Sequence, residues 1–262
     1  MLLAAMLLSA ATPAPLLLPT GPWVVHMEEN LCLLERTYPA ADRKVSLIFQ
    51  PLLDLDEMEV FVVSNDHSDQ QHVGSFTATI EPGQQTSTGR YFSVYTPKTK
   101  SRLTRLTTDR SLFDQLKNGD TLRLKAKPLN LAFRIVQPEK ARAALKGCVD
   151  DLKKSWGIDP EMASRTVTPA DGNPGRYFGP DAYPPEALAK RIFGRVIALL
   201  NITPEGTVEH CRIVSSAGEA LNAGTCKVAM RIRFKPARDK NGVPLPGIYV
   251  LPVRWTMFGA PS

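Results

Sequence analysis

Residues 195–214 read RVIALLNITPEGTVEHCRIV, and this stretch decides the fold. Apolar side chains alternate over its first half, so Val196, Ala198, Leu200 and Ile202 share one face of a strand. Thr203-Pro204-Glu205-Gly206 is turn chemistry, and TVEHCRIV is a return strand, which together make a β-hairpin. Upstream, YPPEALAKRIFG (183–194) predicts a helix with proline in its first turn and an end at Gly194. Downstream, Ser216 to Glu219 has capping-box spacing. The helix it predicts, EALNAGTCKVAMRIRF, carries Leu221, Val228, Ala229 and Ile232 inward. A Gly/Pro loop then leads to a last strand, GIYVLPVRWTMF (247–258). Helix, strand, strand, helix, strand is an order in which the crossover helix can bring the last strand beside the first, as an edge. Pro252 in that strand agrees, because proline cannot donate to a ladder and is tolerated at edges. An exposed edge is a hazard unless a partner uses it, and that is the first pointer to function.

The preceding chain is of a different kind. VSLIFQPLL, EMEVFVVS, VGSFTATI, RYFSVYT, TLRLKA and LNLAFRIV are short β-branched or aromatic runs. Ser64-Asn65-Asp66, Pro82-Gly83 and Asn118-Gly119-Asp120 punctuate them, and a short helix, SLFDQLKNG, interrupts them. Such spacing predicts an antiparallel sandwich or barrel-like unit over 23–156. A helix from Pro138, with Ala141, Leu145, Cys148, Leu152 and Trp156 on one face and a stop at Gly157, closes it. Residues 157–182 hold four Gly and four Pro with little periodicity and read as a linker before a C-terminal unit, 183–262. The expected class is α+β.

Residues 1–22 read as a leader. Leu2 to Leu8 is a short apolar run, and Ser9-Ala10-Ala11 offers small residues for cleavage near Ala11. No Lys or Arg precedes the run, and a disordered apolar tail is the alternative. Pro13, Pro15 and Pro19 interrupt the segment well short of the roughly 20 apolar residues a span needs. The four cysteines suit an oxidising compartment, one pair on each side of the linker: Cys32 with Cys148, and Cys211 with Cys226. For the first pair, Cys148 faces a core where a strand carrying Cys32 could meet it, and two buried thiols are the alternative. The formal net charge is +6, and the last 80 residues account for it, with eleven basic and five acidic side chains. That asymmetry points to units with different partners.

Residues 183–257 resemble the C-terminal domain of TonB-family energy transducers. The residues that carry the resemblance are Tyr183-Pro184, Gly194, Gly206 with Val208, Ser215-Ser216 with Gly218, Arg233-Phe234 with Pro236-Ala237, and Gly242 with Pro244. Cys211 and Cys226, straddling the serine turn, resemble a branch of the family with a disulfide there. The resemblance implies a periplasmic domain that takes up the TonB-box peptide of an outer-membrane transporter as an added strand. The positions it implies are Ile248, Tyr249, Val250, Leu251, Pro252, Val253 and Arg254. The basic balance would favour acidic receptor segments or an anionic membrane surface. This sequence departs from a full transducer in showing neither an N-terminal membrane helix nor a long Pro-rich spacer. The alternative expectation is an envelope or cell-wall-binding module that keeps the fold without transducing energy.

No catalytic, metal or cofactor site is expected. Asn65-Asp66-His67-Ser68-Asp69-Gln70-Gln71-His72 matches no standard ligand spacing and reads as a solvated loop. Asp54 and Asp56 lack a base or nucleophile partner and read as a turn. His210 and Cys211 are adjacent and so point to opposite faces of a strand. G-x-S-x-G, H-E-x-x-H and P-loop patterns are not found. Arg231, Arg233 and Lys235 read as the exposed end of a helix, where cations suit the dipole, and not as a nucleic-acid surface.

Overall fold

The computed structural model describes residues 14–28, 31–40, 43–52, 56–65, 70–127, 129–155 and 164–257. The chain divides into two compact units. One comprises the chain to Val24, Glu35–Ile48 and Val60–Ala141; the other comprises Val25–Leu34, Phe49–Glu59 and the chain from Arg142. The fold is mixed α and β, as the sequence implies.

Ten strands form one sheet: β1 Leu16–Leu17, β2 Val24–Met27, β3 Cys32–Ala40, β4 Arg43–Pro51, β5 Glu57–Ser64, β6 His72–Glu81, β7 Gln85–Thr96, β8 Ser101–Asp109, β9 Thr121–Lys125 and β10 Asn130–Arg134. The spatial order is β1-β10-β9-β6-β7-β8-β5-β4-β3-β2. The β9–β6–β7–β8 ladders are antiparallel, and β1 adds to β10 in parallel. The sheet curls on itself. Tyr38 of β3 meets Phe133 of β10 edge to face at 5.0 Å. Arg36 and Trp23 both donate to the Val136 carbonyl. Burial pushes the Tyr38 phenol well above its ordinary range. The inner face is closed by Leu34, Leu47, Phe76, Ala78, Ile80, Leu106, Leu122 and Leu124, all essentially inaccessible. Strand β8 was not expected from the sequence. Its inward residues are Arg102, Thr104, Leu106 and Thr108, so its buried stripe is mostly polar. Those groups are satisfied by bonds such as Ser93 Oγ to Thr104 Oγ1 and Arg102 to Ser93 Oγ.

Helix α1 (Ser111–Asp114) is one turn, and α2 (Pro138–Ser155) buries Ala141, Leu145, Cys148 and Leu152 at the expected spacing. Trp156 and Gly157 lie outside the described residues. Cys148 bonds Cys32 at the start of β3, across a Cα separation of 6.2 Å.

In the second unit, α3 (Pro185–Ala189) precedes β11 (Gly194–Ile202), β12 (Val208–Ser215), α4 (Glu219–Ala229), two short strands β13 (Ala237–Arg238) and β14 (Pro244–Leu245), and β15 (Gly247–Trp255). The sheet order is β12-β11-β15, so the last strand does lie beside the first. Val196, Ala198, Leu200 and Ile202 share a core with Leu221, Ala229, Ile232, Phe234, Leu251, Val253 and Trp255. Three local expectations are corrected. The capping box does not form: Gly218 is the N-cap, which puts Glu219 at the first helical position instead of the third. Ser216 Oγ accepts from the Gly218 N–H and from Asn222 Nδ2 instead. Arg231, Arg233 and Lys235 lie beyond the end of α4. Arg233 and Lys235 form backbone bridges to Thr207 and Asp171 in an extended segment, so the helix dipole does not hold them. Finally, residues of the expected linker join the core, with Ala170 buried and Tyr177, Phe178 and Ala182 packed against it.

Candidate functional site: the outer edge of β15

The hairpin turn sets the geometry of this unit. The Gly206 N–H donates to the Thr203 carbonyl at 2.9 Å, and the Phe234 N–H donates to the Gly206 carbonyl at 2.8 Å. Gly206 sits at φ +80°, and a Cβ there would lie 2.0 Å from the Phe234 oxygen. Only glycine allows this approach.

Strand β15 pairs with β11 antiparallel over nine residues, from Gly194 opposite Trp255 to Ile202 opposite Gly247, with no shift of register. It ends the sheet, and no described strand pairs with its other side. Side chains alternate. Tyr249, Leu251, Val253 and Trp255 point to the helix-covered core, and Pro252 and Arg254 are exposed on the opposite face beside half-buried Ile248 and Val250. Phe234 stacks obliquely on Tyr249 at 4.7 Å. Burial pushes the Tyr249 phenol up, with the Asp171 carboxylate adding to the shift. Trp255 anchors the strand's end, with edge contacts to Phe178 and Tyr183 and an indole N–H donated to buried Thr225 Oγ1 at 3.0 Å.

Backbone direction alternates as well. In an antiparallel ladder, successive residues turn their N–H and C=O toward the partner strand and then away from it. Pro252, opposite Ile197, has no N–H to give, and it costs the ladder nothing only where that group would point away. This phase turns Tyr249, Leu251 and Val253 inward to β11. It turns the N–H and C=O of Ile248, Val250 and Arg254, and the C=O of Pro252, to the open side. Of the seven positions expected from the sequence, four therefore present backbone and three hold the strand in place. The open row is about 20 Å long at the usual strand rise.

The other edge, β12, is engaged. Gln50 Nε2 donates to the Val214 carbonyl at 2.7 Å, and Ser215 Oγ donates to Glu59 Oε1 at 3.0 Å, both buried. Cys211 is tied to Cys226 of α4, with Cα atoms 5.6 Å apart, which also removes it as a nucleophile. Arg195 pairs with Glu57 at 2.6 Å. On this side of the sheet Ile197 and Leu199 are fully buried, so β11 is buried on both faces and not on one as its alternation suggests. The sequence signal for this was present in the unbroken apolar run from Val196 to Leu200, which is the mark of a strand covered twice.

Asp54, Asp66, His67, Ser68 and Asp69 lie outside the described residues, and Asp56 is exposed at a bend. Among the described residues no three His, Cys, Asp or Glu side chains group to hold a metal ion. No helix among them is long and apolar enough to cross a membrane.

Residues 180–257 match the family described as Gram-negative bacterial TonB protein C-terminal. Searches of curated proteins and of solved structures returned no match to the chain. The matched span takes in every element from α3 to β15, and through it the C-terminal part of this chain is similar to the TonB C-terminal domain and to proteins of TonB-dependent transport in general.

Proposed function

We propose that this chain is a periplasmic TonB-like protein, exported by a signal peptide, that captures the TonB-box peptide of an outer-membrane transporter by strand addition to β15. It is read as a binding protein and not as an enzyme. The observation that carries the reading is the open side of β15, where Pro252 sets the phase and Ile248, Val250 and Arg254 offer outward N–H groups. Main-chain bonds supply affinity in such additions, each worth about 0.5–1.5 kcal/mol net, and side-chain pockets supply choice. Half-buried Ile248 and Val250 supply an apolar floor, and exposed Arg254 supplies a cation at one end.

Amide hydrogen exchange tests this in the intact, oxidised chain. A synthetic transporter N-terminal peptide should slow exchange at Ile248, Val250 and Arg254. The amides of Tyr249, Leu251 and Val253 are already protected and should change little. Protection that appears elsewhere while the three edge amides stay fast would overturn the reading. Affinity capture from envelope extract separates the alternative: transporters support strand capture, and sacculus alone supports a wall-binding module.

A further inference from the structure

Strand capture makes no use of the segment that precedes β2. The Ala132 N–H donates to the Pro15 carbonyl at 3.2 Å, and the Thr20 N–H donates to the Thr37 carbonyl at 3.4 Å. The segment therefore joins β10 to β3 where the sheet curls on itself. Beneath it lies a buried charge. Cys32, Leu34, Arg36 and Tyr38 alternate inward along β3, so Arg36 sits between two fully buried side chains and is itself only 7% exposed. Buried charges are normally paired, because desolvating an unpaired one is costly. Arg36 instead donates to the Val136 carbonyl and stacks on the Trp23 ring, 5.2 Å from its centroid. Neither partner is an anion. Arg36 Nε has no hydrogen-bond partner, and no Asp or Glu among the described residues pairs with this side chain. Its cover is Trp23, itself half-buried, whose indole N–H donates to the same Val136 carbonyl at 2.9 Å. To either side of Trp23 the segment holds apolar side chains in water: Leu16, Leu18 and Val24 are 46%, 58% and 46% exposed.

We propose that this segment binds an amphiphilic carboxylate, a fatty-acid anion, with its head on Arg36 and its chain along Leu18 and Val24. A carboxylate supplies the negative charge and the acceptors that Arg36 lacks, and a guanidinium takes it bidentately through Nε and a terminal nitrogen. One monoanion balances one cation in a stripe otherwise made of Leu34 and Tyr38. The Trp23 ring turns off the guanidinium to admit the head. Leu18 and Val24 are six residues apart, at most about 20 Å along the chain, which is the length scale of an extended alkyl tail.

The test uses the full-length oxidised protein with isotope-labelled tryptophan and follows the Trp23 indole N–H resonance, assigned with Trp23→Phe. Decanoate below its micellar concentration should shift this resonance saturably as the ring leaves Arg36. Acetate, a head without a tail, should need at least about tenfold more. Decyl maltoside, the same tail without charge, should not shift it. Arg36→Met fills the stripe without a charge and should weaken decanoate binding by at least about tenfold. Leu18→Ser/Val24→Ser changes only exposed positions and should weaken it by about threefold or more, which keeps the test decisive if Arg36→Met does not fold. The proposal is overturned if decanoate leaves the resonance unmoved, if acetate or decyl maltoside matches decanoate, or if either folded variant binds decanoate as tightly as the parent.

Discussion

Gly206 and Gly242 both have positive φ, at +80° and +77°, but different surroundings. Replacing each by alanine separates conformational strain from close approach. At Gly242 nothing lies within 4 Å of a new Cβ. Only the left-handed conformation is penalised, by about 1–2 kcal/mol, and a stiffer unfolded chain offsets about 0.4–1 of that. At Gly206 the same strain applies, and the Cβ would sit 2.0 Å from the Phe234 oxygen. The segment after α4 must then withdraw and lose the 2.8 Å bond from the Phe234 N–H to the Gly206 carbonyl. That adds about 0.5–1.5 kcal/mol for the bond, with repacking of Phe234 on top. We expect Gly242→Ala to cost about 1 kcal/mol or less and Gly206→Ala about 2–3 kcal/mol. Urea unfolding followed by Trp255 fluorescence, with Trp23 and Trp156 replaced by Phe, reads the second unit. With a slope of about 1–3 kcal/mol per molar, Gly206→Ala should lower the midpoint by about 1 M or more. Equal shifts for the two variants would refute the close-approach argument.

Two further outcomes follow from the same geometry. Cys211→Ser/Cys226→Ser opens a 15-residue loop and should cost the second unit about 3 kcal/mol in chemical denaturation, with fold and edge retained. The Arg123 fork holds the Glu81 carboxyl below its ordinary range, mainly through the hydrogen bonds. Its folded value is the depressed one, so the pair's small contribution is present above the ordinary glutamate range and is lost as pH falls through the folded value. Arg123→Gln should therefore lower stability slightly at neutral pH and flatten the acid limb of the stability profile, as read by thermal melts from pH 7 to pH 3.

The hairpin, the crossover helix and the edge position of β15 were legible because periodicity and turn chemistry agreed there, and Pro252 marked the edge. Strand β8 was not legible, since Arg102, Thr104 and Thr108 give its buried stripe the composition of a loop. The Pro- and Gly-rich stretch before Tyr183 hid Ala170, Tyr177 and Phe178, whose burial depends on Trp255 and Phe234 far along the chain. The phase of the edge lay in the sequence in one residue, because proline's missing N–H fixes which alternate amides face out. The engagement of β12 was beyond it, as Gln50 and Glu59 reach that strand across more than 150 residues.

Strand capture is tested most directly by a pair of proline substitutions one residue apart. Val250→Pro removes an outward N–H and leaves the β11 ladder whole. Leu251→Pro removes an inward one opposite Ala198. The measurement is calorimetric titration of a transporter N-terminal peptide into each oxidised full-length variant, with circular dichroism and melting to report the fold. The account predicts that Val250→Pro stays folded and loses peptide binding, and that Leu251→Pro is destabilised. A folded Val250→Pro variant that binds the peptide as tightly as the parent would contradict it.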